Sequence, residues 1–480
     1  MDIKVTTRFA PSPTGFMHVG NLRTALYAWL WARKNNGIFI LRIEDTDKDR
    51  EVAGSIEHII ATLKWIGLDF DYGPHKDGPN SPYIQSERLD IYKKYADILI
   101  EKGFAYPDPF TEEEVEKFRK TAEENKKPFL YREHRPQNLQ QFSVWDGKTP
   151  LRFKVPEIKS FKWNDLVQGD LSAGPEALDD FILIKGDGYP TYNFAHIVDD
   201  IEMKVTHVVR GQEFISSTPK FLSVYEALGV LPPFFVTTPP ILGESGNKKL
   251  SKRDGAKDIL DYEKDGYLPE AMINYLAFLG FNPGGEKEVY TREELIKVFD
   301  LSRIQHAGAK WNDDKLNWMN KEHMKLLPPK EIEKNILEYL PPNMQNPRLI
   351  PVIFERIMKW GNVKEMVTRG ELELFFKAPD IQKEKFREKI IYKNTSPEKI
   401  SNNLKLAIQA LKNLDENNFV TENIKSTLLL IADNLDSRGE LLHPVRYALS
   451  GLDRSPDPFL IASIIGKNET LTRLQKAIDE

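Results

Sequence analysis

Thr6-Thr7-Arg8-Phe9-Ala10-Pro11-Ser12-Pro13-Thr14-Gly15-Phe16-Met17-His18-Val19-Gly20-Asn21, with the apolar stretch behind it, decides how this chain folds. Residues 4–9 read as a strand, and the Pro and Gly cluster after them reads as a turn. Asn21 reads as the cap of a helix in which Leu22, Ala25, Leu26, Trp29 and Leu30 recur at helical spacing and make one buried face. Gly37 ends that helix, and Phe39, Leu41 and Ile43 alternate with Ile40, Arg42 and Glu44 in a second strand. Strand, helix and strand in this order make a right-handed parallel unit. Ligands of such sheets gather at the carboxyl ends of the strands, where Ser12, His18, Glu44 and Asp45 emerge.

Outward from this unit, residues 96–178 change to charged, Pro-interrupted segments and read as an insertion. Sheet-like sequence resumes at Asp180-Phe181-Ile182-Leu183-Ile184 and at Val205-Thr206-His207-Val208-Val209-Arg210. A helix from Thr218 to Leu228 and a strand near Phe234 to Val236 follow. Next comes a short cationic segment, Lys249-Leu250-Ser251-Lys252-Arg253, flanked by Gly243, Gly246 and Gly255. Beyond residue 325 the pattern is helical: Pro397 sits at a first helical position ahead of the stripe Ile400, Leu404, Ile408, Leu411 and Leu414, with further stripes over 422–435 and 458–478.

With 480 residues the chain is long enough for two or more domains. It has no cysteine, which excludes disulfides, thiolate nucleophiles and Cys-ligated zinc. Mean hydropathy is -0.47 and no apolar run approaches the ~18 residues of a membrane helix, so a cytoplasmic protein with no membrane partner is expected. A net charge of -5 announces no nucleic-acid partner, so any such partner must be met by local clusters such as Lys126, Lys127, Arg132 and Arg135.

The His18 turn and the cationic segment gain meaning as a pair. A Pro-Ser-Pro-Thr-Gly string is a good turn on steric grounds alone, and a basic pentapeptide is usually solvated. Together they suggest ATP activation: phosphates rest on helix N-terminal amides, Gly20 lets the nucleotide lie against the backbone, and His18 donates to a phosphate oxygen. Lysines such as Lys249 and Lys252 stabilise charge that builds on the phosphates in the transition state.

In their order and spacing, with a split sheet between, these motifs resemble the class I aminoacyl-tRNA synthetases. That family's "HIGH" and "KMSKS" signatures are matched by His18-Val19-Gly20-Asn21 and Lys249-Leu250-Ser251-Lys252-Arg253. The resemblance narrows to the glutamyl-tRNA synthetases through Leu41-Arg42-Ile43-Glu44-Asp45-Thr46-Asp47, Gly188-Tyr189-Pro190-Thr191-Tyr192-Asn193-Phe194-Ala195 and Thr206-His207-Val208-Val209-Arg210-Gly211. Trp311-Asn312-Asp313-Asp314-Lys315-Leu316-Asn317-Trp318 and Arg446-Tyr447-Ala448-Leu449-Ser450-Gly451 extend it over the whole chain.

The resemblance implies an α/β Rossmann-type catalytic domain in two halves (1–95 and 179–250), split by an inserted α+β domain for the acceptor end (96–178). A stem-contact region (251–325) and an all-α anticodon-binding domain of bacterial type (326–480) follow. It implies attachment of L-glutamate to tRNA(Glu) through a glutamyl-adenylate, by a monomer. Glutamate carries two carboxylates and one ammonium, so its pocket needs cationic contacts and an anionic one. Arg8 and Tyr192 are expected on the γ-carboxylate, Arg210 near the α-carboxylate, Glu44 on the α-ammonium, and Ser12 beside them. His18, Gly20, Asn21, Glu213, Lys249 and Lys252 are expected on ATP, with Mg2+ accompanying it and Glu213 on the ribose.

The chain departs from the family where Ala105-Tyr106-Pro107-Asp108-Pro109-Phe110 lacks the cysteines of a zinc site, so no zinc is expected. His196 stands where relatives show Asn or an aliphatic residue, which leaves its role open. A non-discriminating enzyme that also charges tRNA(Gln) is the open alternative. Glutaminyl-tRNA synthetase is disfavoured because it usually ends in β-barrels, and a catalytically inactive tRNA-binding relative is disfavoured by the intact site residues.

Overall fold

A computed structural model describes residues 4–138, 144–246, 248–250, 257–381 and 384–479. The chain divides into two compact units, Met1–His323 and Met324–Glu480.

The first unit is built on a six-stranded sheet. Strands β1 (Thr6–Phe9) and β2 (Ile38–Leu41) are parallel with Arg8 opposite Ile40, and helix α1 (Val19–Lys34) connects them. The helix forms because Leu22, Ala25, Leu26, Trp29 and Leu30 all face the core, at 4% exposure or less. Its cap differs from the sequence-based expectation. His18, not Asn21, is the N-cap residue, with extended backbone and a ring nitrogen that accepts the Gly20 amide. Asn21 lies within the first turn. Gly37 follows the helix end by three residues, and a Cβ there would come within 2.3 Å of the Val5 carbonyl oxygen.

Between α1 and the second half run β3 (Ala105–Pro107), β4 (Leu151–Phe153), the antiparallel hairpin β5 (Phe161–Asp165) and β6 (Gly169–Ala173), and β7 (Ile182–Ile184). Strands β8 (His207–Gly211) and β9 (Phe234–Thr238) follow, and the sheet order is β2-β1-β8-β9-β5-β6. Two segments pair otherwise than the sequence suggested. The segment at 180–184, read as a return to the parallel sheet, supplies β7 to a separate three-stranded sheet with β3 and β4. The hairpin β5–β6, within the apparent insertion, instead extends the main sheet through Asp165 opposite Phe235. Short strands carry little register information of their own, and tertiary packing chose their partners.

The segment around the cysteine-free Ala105–Phe110 is held by buried charge. Asp108 accepts from Arg152 and from the Tyr131 hydroxyl, while the Arg152 guanidinium lies 3.4 Å from the centre of the Tyr131 ring. Asp180 accepts from Tyr106, Arg135 and the Val155 amide.

The second unit is helical. The stripe Ile400, Leu404, Ile408 and Leu411 is buried in the helix Pro397–Lys412, whereas Leu414 lies just past its end. The 458–478 stripe breaks at Gly466, whose φ of 85° ends Pro458–Ile465 and separates it from Lys467–Asp479. Arg473 is buried and its guanidinium caps the Leu374 and Leu449 carbonyls, which pins the last helix to two others. No helix among the described residues is long and apolar enough to cross a membrane.

Candidate active site

The sheet order reverses direction between β1 and β8, and a ligand crevice forms where adjacent strands send their connections to opposite sides. Here it is a cleft of about 830 Å³. Its lining brings together Arg8, Ser12, His18, Gly20, Asn21, Glu44, Tyr192, Arg210, Glu213 and Lys249, every described residue that the sequence nominated. Lys252 lies outside the described residues.

Each side chain arrives on a specific piece of backbone. Arg8 points out of β1, and Glu44 is fixed just beyond β2 by its amide bond to the Pro11 carbonyl, 3.0 Å. Tyr192 opens the helix Tyr192–Glu202, and Arg210 occupies the penultimate position of β8. The His18 ring is oriented by its own cap bond. Because Nδ1 accepts the Gly20 amide at 3.1 Å, the proton of the neutral ring is assigned to Nε2, which is thereby a donor. A Cβ at position 20 would sit 3.0 Å from the His18 ring, so Gly20 also gives that ring its space.

The deep end of the cleft is a network that sequence reasoning missed. Arg42 is fully buried and donates to Glu44 at 2.8 Å and to Asp200 at 2.7 Å. Asp200 also takes two bonds from Arg8, at 3.1 and 3.4 Å. Asp199 next to it accepts from Arg88 at 2.7 Å, from Gln85 at 2.8 Å and from the Tyr92 hydroxyl. A signal existed in the sequence. Asp199 and Asp200 follow the apolar run Phe194, Ala195, Ile197 and Val198 on a helix, and acids in such a place need cations from elsewhere.

Burial and partners set the charges of this network. Burial alone pushes the Asp200 carboxyl up, but Arg8 and Arg42 overcome it and hold the group at about 2. For Glu44 burial wins over Arg42, and its carboxyl is raised above the usual value. Burial also pulls His196 down to about 3, so that imidazole is neutral. Its ring stacks on Tyr192 with centroids 4.5 Å apart, and Nδ1 donates to the Tyr192 carbonyl at 2.6 Å.

Arg210 differs from these arginines. It is 5% exposed, and among the described residues no carboxylate lies within ion-pair distance of it. One terminal nitrogen donates to Thr218 Oγ1 at 2.6 Å, and Nε has no hydrogen-bond partner. The guanidinium lies 4.3 Å from the centre of the Phe235 ring, and burial pulls its pKa down to about 10. The nearby acid, Asp165, takes the amides of Val167, Gln168 and Thr237 on Oδ1, and its Oδ2 makes no hydrogen bond among the described residues. A buried cation without a counter-ion is costly, and a ligand carboxylate reaching it would relieve that cost.

The outer end carries the nucleotide candidates. Lys249 pairs with Glu213 at 3.0 Å, both side chains more than half exposed. Magnesium has no prepared cage here: among the described residues no group of three or more His, Asp or Glu side chains is arranged to hold an ion.

Residues 4–318 match the model for the catalytic domain of class I tRNA synthetases (E and Q), and residues 322–478 match an anticodon-binding domain. The chain is 41% identical to a glutamate–tRNA ligase of Clostridium botulinum, over all of this chain and 99% of that one. It is 40% identical to that of Clostridium acetobutylicum, over 99% of each. Among solved structures, a glutamate–tRNA ligase from Elizabethkingia meningosepticum in complex with its amino acid superposes with a TM-score of 0.87 at 36% identity, covering 99% of both chains. The glutamate–tRNA synthetase of Elizabethkingia anophelis gives 0.85 at 35%, covering 99% of this chain and all of that one. With both of its family domains present and full-length relatives of one kind, the chain belongs to the glutamate–tRNA ligases, among the class I aminoacyl-tRNA synthetases.

Proposed function

We propose that this protein activates L-glutamate with ATP in the cleft between β1 and β8 and transfers it to the terminal adenosine of tRNA(Glu). The observation that carries the choice of acid is Arg210, a buried guanidinium with no carboxylate partner among the described residues. Met there by its side chain, glutamate supplies the missing anion, whereas glutamine is neutral at that end.

Arg8 already gives two bonds to Asp200, so Arg210 becomes the principal receiver of the γ-carboxylate, beside Tyr192 and the remaining Arg8 nitrogen. This changes the division expected from sequence, in which Arg210 served the α-carboxylate. Glu44, held in place by Arg42, takes the α-ammonium, and Ser12 lies at the rim. The first step needs no general base, because the attacking α-carboxylate is ionised at neutral pH. Its oxygen forms a bond to the α-phosphorus of ATP while the bond to the bridging oxygen breaks and pyrophosphate leaves. His18 Nε2 and the amides of the α1 N-terminus hold the phosphates, with Gly20 and Asn21 in that first turn. Lys249 and Lys252 stabilise the departing charge, and Glu213 exchanges its lysine for the ribose. Magnesium enters on the nucleotide's phosphates. In the second step the 2′-hydroxyl of the terminal adenosine attacks the mixed anhydride and AMP leaves. We place this activity in the cytoplasm and in a monomer.

Charging of purified tRNA(Glu) and tRNA(Gln) with labelled glutamate or glutamine tests the proposal. Glutamate on tRNA(Glu) is the expected product, and glutamate on tRNA(Gln) as well identifies a non-discriminating enzyme. Charging by glutamine alone, or tRNA binding without any charging, overturns it.

A further inference from the structure

The two nucleotide motifs are more than 200 residues apart, yet one small patch outside the cleft joins the first to Asp258, five residues past the second. Its centre is His58 on the helix Ser55–Ile66. The ring stacks on Phe16, two residues before His18, with centroids 4.6 Å apart and planes 26° apart. On the same ring, Nε2 is 2.8 Å from Asp258 Oδ1. Asp258 caps the helix Ile259–Lys264 through the Leu260 amide, at the point where the chain returns from the cationic segment.

Neighbouring bonds tie the same pieces. Ser55 Oγ donates to the Gly15 carbonyl and the Val52 amide to the Pro13 carbonyl, both at 2.8 Å. The Ile259 amide donates to the Met17 carbonyl at 3.3 Å. On the other side of the cationic segment, the Leu250 amide donates to the Ile241 carbonyl at 2.8 Å, beside the cleft residue Pro240. The described flanks of the segment are thus anchored, the entry to the sheet end and the exit to the first motif. His58 Nδ1 is buried and makes no hydrogen bond, so Nε2 carries the proton and donates to Asp258.

We infer that His58 is a positioning residue for the nucleotide half of the reaction: through Phe16 and Asp258 it ties the chain that follows the Lys249–Arg253 segment to the His18 turn. His58 does not line the cleft, so its effect reaches ATP only through those two motifs. The inference rests on the reading that both motifs contact ATP.

The test measures glutamyl-adenylate formation by the full chain with saturating tRNA(Glu), titrating ATP and glutamate separately. His58→Ala and Asp258→Ser each remove the bond, and serine preserves the helix cap. Each is expected to lower kcat/KM for ATP about tenfold, the value of one hydrogen bond to a charged group. The KM for glutamate should stay within about twofold, which loss of fold would not spare. The double variant should be no worse than His58→Ala, because the bond between the two side chains is already absent there. His58→Gln places an amide nitrogen near the Nε2 position and should recover the part of the loss that the Asp258 bond carries, though not the part that the stacking on Phe16 carries. Wild-type ATP kinetics in His58→Ala, equal losses for ATP and glutamate, or additive losses in the double variant overturn the inference. Failure of the wild-type protein to charge tRNA with glutamate would instead strike the functional reading itself.

Discussion

At the amino-acid end of the cleft Arg42 lies fully buried between Glu44 and Asp200, whereas at the nucleotide end Lys249 meets Glu213 with more than half of each side chain in solvent. The first arrangement fixes charge before any ligand arrives. Three arginines, Arg8, Arg42 and Arg88, face three carboxylates, Glu44, Asp199 and Asp200, and a further buried arginine of the cleft, Arg210, awaits a carboxylate. The second arrangement is worth only ~0.2–1 kcal/mol and exchanges readily for a phosphate or a ribose. Selecting one acid needs rigid, desolvated groups, while following a leaving pyrophosphate needs side chains that can change partner.

The largest expected effect comes from breaking the buried end. Asp200→Asn strips the common partner from Arg8 and Arg42 and should lower unfolding stability by ~3–5 kcal/mol in denaturant titrations, the cost of an unpaired buried charge. A loss below about 1 kcal/mol would show that Arg8 and Arg42 do not depend on it.

At the outer end, Lys252→Ala should slow adenylate formation by at least about tenfold while tRNA binding is retained, as expected of a contact made in the transition state. Lys249→Ala should act in the same direction. Stopped-flow adenylate formation with tRNA bound separates this from a binding defect, and a wild-type rate would remove the lysine from the mechanism.

A smaller, global effect follows from pH. Burial pulls His196 down to about 3 and His207 to about 4, so both are neutral in the folded state and charge on unfolding at acid pH. Their stabilising effect is complete above the unfolded value of about 6.5 and is lost as pH falls from there toward 4. These two histidines should therefore add about two protons to the uptake on unfolding at pH 5 relative to pH 8, and His207→Asn should remove about one of them. Asp200 acts at a lower range: its stabilisation holds above about 4 and disappears as pH falls toward 2.

The smallest effect belongs to the exposed pair itself. Glu213→Gln should leave stability within about 1 kcal/mol of the wild type and raise the KM for ATP only a few-fold.

How legible the molecule was in its sequence follows the same division. α1 and the helix Thr218–Leu228 could be read because their apolar residues repeat over three or more turns. Strands of three to five residues could be found but not assigned to a sheet, as β7 and the β5–β6 hairpin demonstrate. The residues of the cleft were nominated by motif, since strand ends expose their side chains in short, recognisable strings. Arg42, Arg88, Asp199 and Asp200 were missed because the ion pairs that join Arg42 to Asp200 and Arg88 to Asp199 span more than 100 residues, and only the folded chain brings them together. Asn21 was read as the cap because it is of a preferred type, whereas the histidine that caps the helix is an uncommon N-cap.

The account depends most on Arg210 being held for substrate and not for the fold. Arg210→Gln, assayed for both adenylate formation and denaturant stability, tests this directly. Loss of at least about a thousandfold in kcat/KM for glutamate is expected, the scale of a missing buried charge pair, with stability unchanged or raised because an unpaired buried cation has gone. Near-wild-type use of glutamate, or a stability loss like that of Asp200→Asn, would contradict it.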